Sequence, residues 1–277
     1  MVTGLSIQTN SGANIALQQL SINNAALERT QLRITTGLKV PGPKEDAASF
    51  QIATRLRGDI AGINAVKTAL TTGESTVNVA VSAGESVSDL LTEIKAQIVQ
   101  ANQSGLDSAS RSALDSDFVA LRDQITTIVS TAEFNNVNLV RQSASAFDVL
   151  SSVDGSVIRV SAQPLDTTTL GLNDETLATS SGATAALTAI ETAITNAADK
   201  LAALGSSARR VEIQADFTSS LVNVLNEGLG NLVDADLAEE SARLQALQIQ
   251  QELSIQALSI ANSRPQSVLQ LFPTPGR

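Results

Sequence analysis

The stretch 13–38 reads ANIALQQLSINNAALERTQLRITTGL, and its apolar spacing decides the fold. Ala13, Leu17, Leu20, Asn24, Leu27, Gln31, Ile34 and Leu38 step by four and three, the period of a heptad seam with two polar positions. Ile15, Ile22 and Ala26 form a second apolar stripe beside it. One neighbouring helix covers only one stripe, so a helix carrying two adjacent stripes meets more than one partner. Gly37, followed by Pro41, Gly42 and Pro43, ends the run.

The other end of the chain has the same character. From Leu229 to Leu271, Leu232, Leu237, Leu244, Leu247, Ile249, Leu253, Ile255, Leu258, Ile260 and Leu269 lie almost all round one predicted helix, separated by Gln rather than by charge. Ala235, Ala238, Ala242, Ala246, Ala257 and Ala261 permit close helix approach. Periodicity alone fits an ordinary bundle helix and a self-assembly helix equally. Residues 1–67 hold seven Lys/Arg against four Asp/Glu, and residues 199–253 hold four against nine, so charge favours pairing of the two arms. Exposed pairs contribute only about 0.2–1 kcal/mol each, so charge sets orientation while apolar burial supplies stability.

Prolines at positions 41, 43, 164, 265, 273 and 275 leave long spans free of the strongest helix breaker. Helices are predicted over about 45–100, 106–130 and 183–230, with Gly105 at a break. The non-helical region runs from about Phe134 to Ser181. Within it Phe147, Val149, Val153, Asp154-Gly155, Val157, Ile158 and Val160 predict a β-hairpin, and Thr167-Thr168-Thr169 and Thr179 to Gly182 read as exposed loop. The predicted fold class is therefore mainly α: a long helical coiled-coil bundle of the amino- and carboxyl-terminal arms, with a small hairpin region between them.

Composition narrows function. The 277 residues include no Cys, His, Trp or Tyr, which excludes thiol and imidazole catalysis, disulfides and most zinc, copper or haem sites. No cofactor and no metal site is expected. Aromatic residues make up 2% against 43% hydrophobic, which suits long helices joined by small aliphatic contacts. A net charge of -10, with only 18 Lys and Arg, argues against nucleic acid, and no apolar run is long enough for a bilayer. Residues 1–21 lack a basic n-region and an apolar h-region, so no secretory signal is expected there. There is no Gly-Lys of a phosphate loop and no Ser-x-x-Lys; Gly228-Leu-Gly230 lacks the third glycine of a dinucleotide fingerprint. Asp234, Asp236, Glu239 and Glu240 cluster, and on a helix Asp236, Glu239 and Glu240 would share a face. Such a face can serve Ca²⁺ or acid/base chemistry, but a solvated or partner-binding acidic stripe is the commoner meaning.

The terminal blocks then become specific. Ile7-Gln-Thr-Asn10, Arg33-Ile-Thr-Thr-Gly37-Leu-Lys-Val40 and Asp46-Ala-Ala stand at one end. Asp234-Ala-Asp236-Leu-Ala-Glu239-Glu240-Ser, Gln256-Ala257 and Ala261-Asn262-Ser-Arg-Pro265-Gln266-Ser-Val-Leu269 stand at the other. With both blocks the chain resembles the bacterial flagellins, over about 1–140 and 183–272, in a short form without variable outer domains.

The resemblance implies a structural subunit of the flagellar filament, supporting swimming motility, and no enzyme. It implies inner coiled-coil halves over 1–43 and 231–277, and an outer-tube domain of helices and hairpin over 44–182 with its last helix over 183–230. It implies secretion, unfolded, through the flagellar type III export channel with an export chaperone on the carboxyl-terminal region. Assembly then places the chain in the extracellular filament, in contact with copies of itself and with the cap and hook-filament junction proteins, and with neither nucleic acid nor membrane.

The polymerisation interface expected on this basis comprises Leu17, Leu20, Leu27, Arg33, Ile34, Gly37 and Leu38 from the first arm. Asp234, Asp236, Glu239, Glu240, Leu244, Leu247, Leu253, Leu258 and Asn262 complete it from the second. Hydroxyls of the central segment, Thr167, Thr168, Thr169, Thr176, Ser180 and Ser181, are candidates for O-glycosylation, the alternative being plain turn formers. Two departures stand out: Pro273-Thr-Pro-Gly-Arg277 follows Phe272, where the family's usual chain stops, and Lys95-Ala-Gln replaces the Arg-Glu-Leu of receptor-recognised members. The alternative reading is the hook-filament junction protein, which shares similar terminal arms.

Overall fold

The computed structural model describes the backbone of residues 10–269 and the side-chain surroundings of residues 10–263. Five helices and one hairpin follow in order: α1 (Ser11–Thr36), α2 (Ala47–Ala101), α3 (Ser108–Thr131), β1 (Phe147–Leu150), β2 (Val157–Val160), α4 (Ser180–Val233) and α5 (Leu237–Leu269). The chain divides into two compact units, one formed by its two ends, up to Gly58 and from Leu225, the other of Asp59–Val224. The expected divisions at 43/44 and 230/231 both fall inside the first unit.

The second unit holds the larger core. In α2 the buried Ile63, Leu70, Val77, Leu91 and Ile98 and the buried Val66, Ala80, Val87, Ile94 and Ala101 fall on two rows that repeat every seven residues. Gly84 takes a place in the first row and Gly73 in the second. The same step links Phe118 to Ile125 in α3, and Ala183, Ile190, Ala197, Leu204 and Val211 in α4. A sustained seven-residue repeat keeps one face of each helix toward its neighbours, as in a coiled coil. The α2–α3 corner is closed by Arg111, 9% exposed, which donates to the Ala101 carbonyl at 2.6 Å and so satisfies an orphan acceptor of the α2 C-terminus.

The hairpin is antiparallel, Phe147 opposite Val160 and Leu150 opposite Val157. Its turn is longer than the Asp154-Gly155 pair alone suggests: the Ser151 amide donates to Ser156 O at 2.8 Å, and residues 152–155 form the loop, with Gly155 at φ 85°. Val153, expected in a strand, lies in that loop, 56% exposed. Glycines of α2 receive the hairpin. A Cβ at Gly73 would stand 2.7 Å from Val149 Cγ2, and one at Gly62 2.7 Å from Val153 Cγ1. Only glycine permits that approach.

The segment 161–179 departs from the reading of open loop. Leu165, Leu170, Leu172 and Leu177 are buried, and so is Thr167, at 7% exposure. Asp115 of α3 holds the segment's end, accepting from the Leu177 amide at 2.6 Å and the Thr176 hydroxyl at 2.9 Å. Four leucines in an otherwise polar segment fill the bundle while most of the residues between them stay wet, which is why composition alone suggested exposure.

In the first unit α1 packs against α5. Gly37 ends α1 at φ 69°, a left-handed cap that favours glycine. Just beyond it Leu38 forms a bridge with Asp234. The Lys39 amide donates to Val233 O at 2.7 Å and the Ala235 amide to Gly37 O at 2.9 Å. Around this crossing Val40, Ala53 and Val233 are buried, with Leu38, Phe50, Leu229 and Leu232 against them.

The single predicted helix from Leu229 is therefore broken. α4 stops at Val233 and α5 restarts at Leu237, because Asp236 leaves the helix to cap it: its Oδ1 accepts from the Ala238 amide at 2.9 Å and the Glu239 amide at 3.2 Å. At the other end α5 continues through Pro265 to Leu269. Pro273 to Arg277 and Leu271 lie outside the described residues.

Candidate assembly interface

Hydrogen bonds fix α1 antiparallel to α5. Asn10 reaches Ala261, Asn23 reaches Gln250 and Ser254, Asn24 meets Gln251, and Arg33 meets Glu240. The residues facing the partner in α1 are Ala13, Ala16, Leu20, Asn23, Leu27, Thr30, Ile34 and Gly37, all buried or half-buried. The predicted seam is correct at 13, 20, 27 and 34 and slips by one residue between them: Leu17 and Gln31 are exposed while Asn23 and Thr30 are buried. Small and polar side chains at the intervening positions let the helices approach and bond across the seam. The larger apolar groups are left on the outer faces. On α5 the matching row is Glu240, Leu244, Leu247, Gln251, Ser254, Leu258 and Ala261, buried or half-buried.

The acidic cluster does not share one helical face. Asp234 sits in the crossing and Asp236 caps α5, whereas Glu239 and Glu240 lie in the first turn of α5, where negative charge suits the helix N-terminus. Glu240, 6% exposed, accepts from Arg33 Nη1 at 2.9 Å, and Arg33 Nη2 reaches Glu45 at 3.2 Å. Arg243 adds contacts to Glu239 at 3.1 Å and Glu240 at 3.7 Å. The Glu240 carboxylate bonded to it holds the Arg33 guanidinium above its usual range, against the opposing effect of burial. Among the described residues no group of acidic side chains is arranged to hold a metal ion. Nor, among them, is any helix long and apolar enough to cross a membrane.

Of the sixteen residues expected at the polymerisation interface, the structure joins most within one chain. Leu20, Leu27 and Ile34 with Leu244, Leu247 and Leu258 occupy the seam, and Arg33, Gly37, Leu38, Asp234, Asp236 and Glu240 build the crossing. Leu17 and Leu253 are left outward, 56% and 57% exposed; Glu239 and Asn262 are exposed as well. Ile15, Ile22, Leu32, Ile249, Ile255 and Ile260 are outward too, each at least 47% exposed. Among the described residues nothing covers this apolar surface on the two helices of the pair, which is the kind of patch that further chains cover. Sequence reasoning passed over Asn23, Ser254 and Glu45; the recurrence of small or polar residues at 16, 23, 30 and 37 was the available signal.

Family models match both ends of the chain. Residues 7–145 match the family model of the bacterial flagellin N-terminal helical region, and residues 187–272 that of the C-terminal helical region. The chain belongs to the bacterial flagellin family. Flagellin FljM of Caulobacter vibrioides is 44% identical over 272 residues, covering 96% of this chain and 98% of that protein. The flagellin of Brucella melitensis is 36% identical over 280 residues, covering 96% and 99%. In fold, this flagellin is similar to a structure of a "putative flagellar hook-associated protein" from Vibrio parahaemolyticus, TM-score 0.57 at 13% identity, over 69% of this chain and all of that one. A likeness at that identity shows a shared fold and does not favour the junction reading. The flagellin is a structural subunit of the flagellar filament, self-assembling and not an enzyme.

Proposed function

We propose that the α1–α5 pair of this flagellin builds the inner tube of the filament, and that its outward apolar residues are the contacts between subunits. The exposure of Leu17 and Leu253 on a pair already closed along its seam carries this reading. The remaining interface candidates, from Leu20 and Arg33 to Leu258 and Asn262, then hold each arm in the shape its neighbours receive. Leu17→Asp and Leu253→Asp each place a charge in that contact. Both proteins are expected to stay folded and soluble but to stop extending filament seeds; extension at the parent rate would contradict the reading.

The family resemblance extends the proposal to secretion. The subunit leaves the cytoplasm through the flagellar export channel, delivered by an export chaperone, and assembles beneath the cap on a base of hook-filament junction proteins. Deleting the channel is expected to leave the chain inside the cell. Any O-linked glycan falls on the exposed Thr168, Thr169, Thr176, Ser180 or Ser181; burial of Thr167 removes it from that set. Intact-mass measurement on native filaments decides this, an unmodified mass ending the proposal.

A further inference from the structure

Beside the Asn24–Gln251 bond and the Arg33–Glu240 pair, the α1–α5 seam buries one further amide. Asn23, 5% exposed, uses both ends of its side chain. Its oxygen accepts from Gln19 Nε2 at 3.2 Å; its nitrogen donates to Ser254 Oγ at 2.9 Å and to the Gln250 carbonyl at 3.4 Å. Ser254 Oγ in turn donates to the same Gln250 carbonyl at 2.7 Å. The result is a directed chain of bonds from one helix to the other. Thirteen residues earlier, at the N-cap of α1, Asn10 makes a second crossing bond to the Ala261 carbonyl at 2.7 Å.

The leucines of the seam, Leu20, Leu27, Leu244, Leu247 and Leu258, hold the two helices together but specify their register only loosely, because apolar burial is not directional. A buried amide does discriminate. Any slide strips its donors and acceptors of partners in a place that water does not reach. We infer that Asn23 is a positioning residue that sets the register of α1 on α5, with Ser254 as its acceptor and Asn10 as a second check at the far end. The inference rests on the reading that this pair is the assembling element. Register matters there because a one-heptad slide would move Leu17 and Leu253 out of step with neighbouring subunits.

The absence of cysteine from the chain makes a clean reporter available. A Cβ at Gly12 would stand 4.0 Å from the Ala261 Cβ, inside the window of about 3.5–4.5 Å that a disulfide requires. The test uses the full chain carrying Gly12→Cys and Ala261→Cys, assembled into filaments, oxidised, and read as intrachain disulfide on a non-reducing gel. Adding Asn23→Leu is expected to keep helical content and assembly but to slow intrachain crosslinking at least about threefold, with interchain products taking its place. The exchange Asn23→Ser with Ser254→Asn returns the amide to the seam and is expected to restore the parent rate.

An unchanged rate in Asn23→Leu, or a slowing that the exchange does not repair, overturns the proposal. So does loss of helicity or assembly in Asn23→Leu, which would make Asn23 a plain structural residue. Failure of the parent pair itself to crosslink counts instead against the α1–α5 pairing, so the two failures are distinguishable.

Discussion

The side-chain amide of Asn10 donates to the backbone carbonyl of Ala261 at 2.7 Å, across 251 positions of sequence. Pro265 has no N–H, so within α5 the carbonyl four residues before it, that of Ala261, lacks its helical donor. The other end of the same amide accepts from the Ala13 amide at 3.1 Å and caps α1. One side chain thus completes two helices. Asn10→Ala is expected to cost about 1–2 kcal/mol in denaturant unfolding of the first unit, the cap and the crossing bond together. Asn10→Asp keeps the cap, loses the donor and sets a carboxylate oxygen against the Ala261 carbonyl. Pro265→Ala should offset that loss by returning an N–H to the carbonyl, and a double-mutant cycle measures it; additive effects would contradict the pairing.

Arg33 ties Glu240 to Glu45, and its side chain is 21% exposed against 7% for Glu240. Removing one partner leaves the other charged and largely dry. Arg33→Ala is expected to cost roughly 2–3 kcal/mol, less than for a fully buried pair because Arg33 is partly wet and because Arg243 still faces Glu240. Arg33→Lys keeps the charge without the fork that serves two carboxylates and should fall between. Equilibrium unfolding of the three proteins checks the order.

Gly73 lies against Val149, which is 2% exposed and has no free direction in which to retreat. Gly73→Ala gains about 1 kcal/mol of helix propensity. It also forces an overlap of the kind that typically costs 1–3 kcal/mol, roughly, so a net loss is expected. Val149→Ala in the same chain makes room and should recover part of it. Thermal midpoints report both effects, and a Gly73→Ala protein more stable than the parent would show that the hairpin is not seated as described.

Acid acts on the helix starts. Asp46 is held below the ordinary 3.8 by the Ser49 hydroxyl, which donates to it at 2.6 Å, and by the Ser49 and Ala48 amides. Asp107, capping α3, is held below the same value by Ser110. A carboxyl with a depressed native pKa binds fewer protons folded than unfolded. Its contribution is therefore full above 3.8 and is lost as pH falls through the lowered native value. Asp46→Asn and Asp107→Asn should each flatten the fall in stability below that point while changing little at neutral pH. Circular dichroism across an acid titration measures the slope; an unaltered slope would remove these two groups as its source.

Much of the architecture was legible in sequence because period and punctuation are strong signals. The step from Leu20 to Leu27 to Ile34, the glycine at 37 and the proline-free spans mark the arms and the long helices, and Asp154-Gly155 marks the hairpin. What escaped depends on partners. Leu17 reads as a better seam residue than Ala16, yet in this pair close approach and the amide of Asn23 govern the rotation of α1. Asp236 reads as helical until its side chain is seen capping α5. Thr167 reads as loop, and its burial follows from leucines at 165, 170, 172 and 177 that only the folded bundle brings together.

Both arms are expected to be needed to make a filament, because each arm covers only one stripe of the other. The most direct measurement is filament extension from sheared seeds, followed by electron microscopy, for the full chain and for chains trimmed of residues 1–35 or 240–277. The full chain is expected to extend the seeds, and each trimmed chain to remain a soluble monomer with the second unit folded. Filaments grown from either trimmed chain under native conditions would contradict the account.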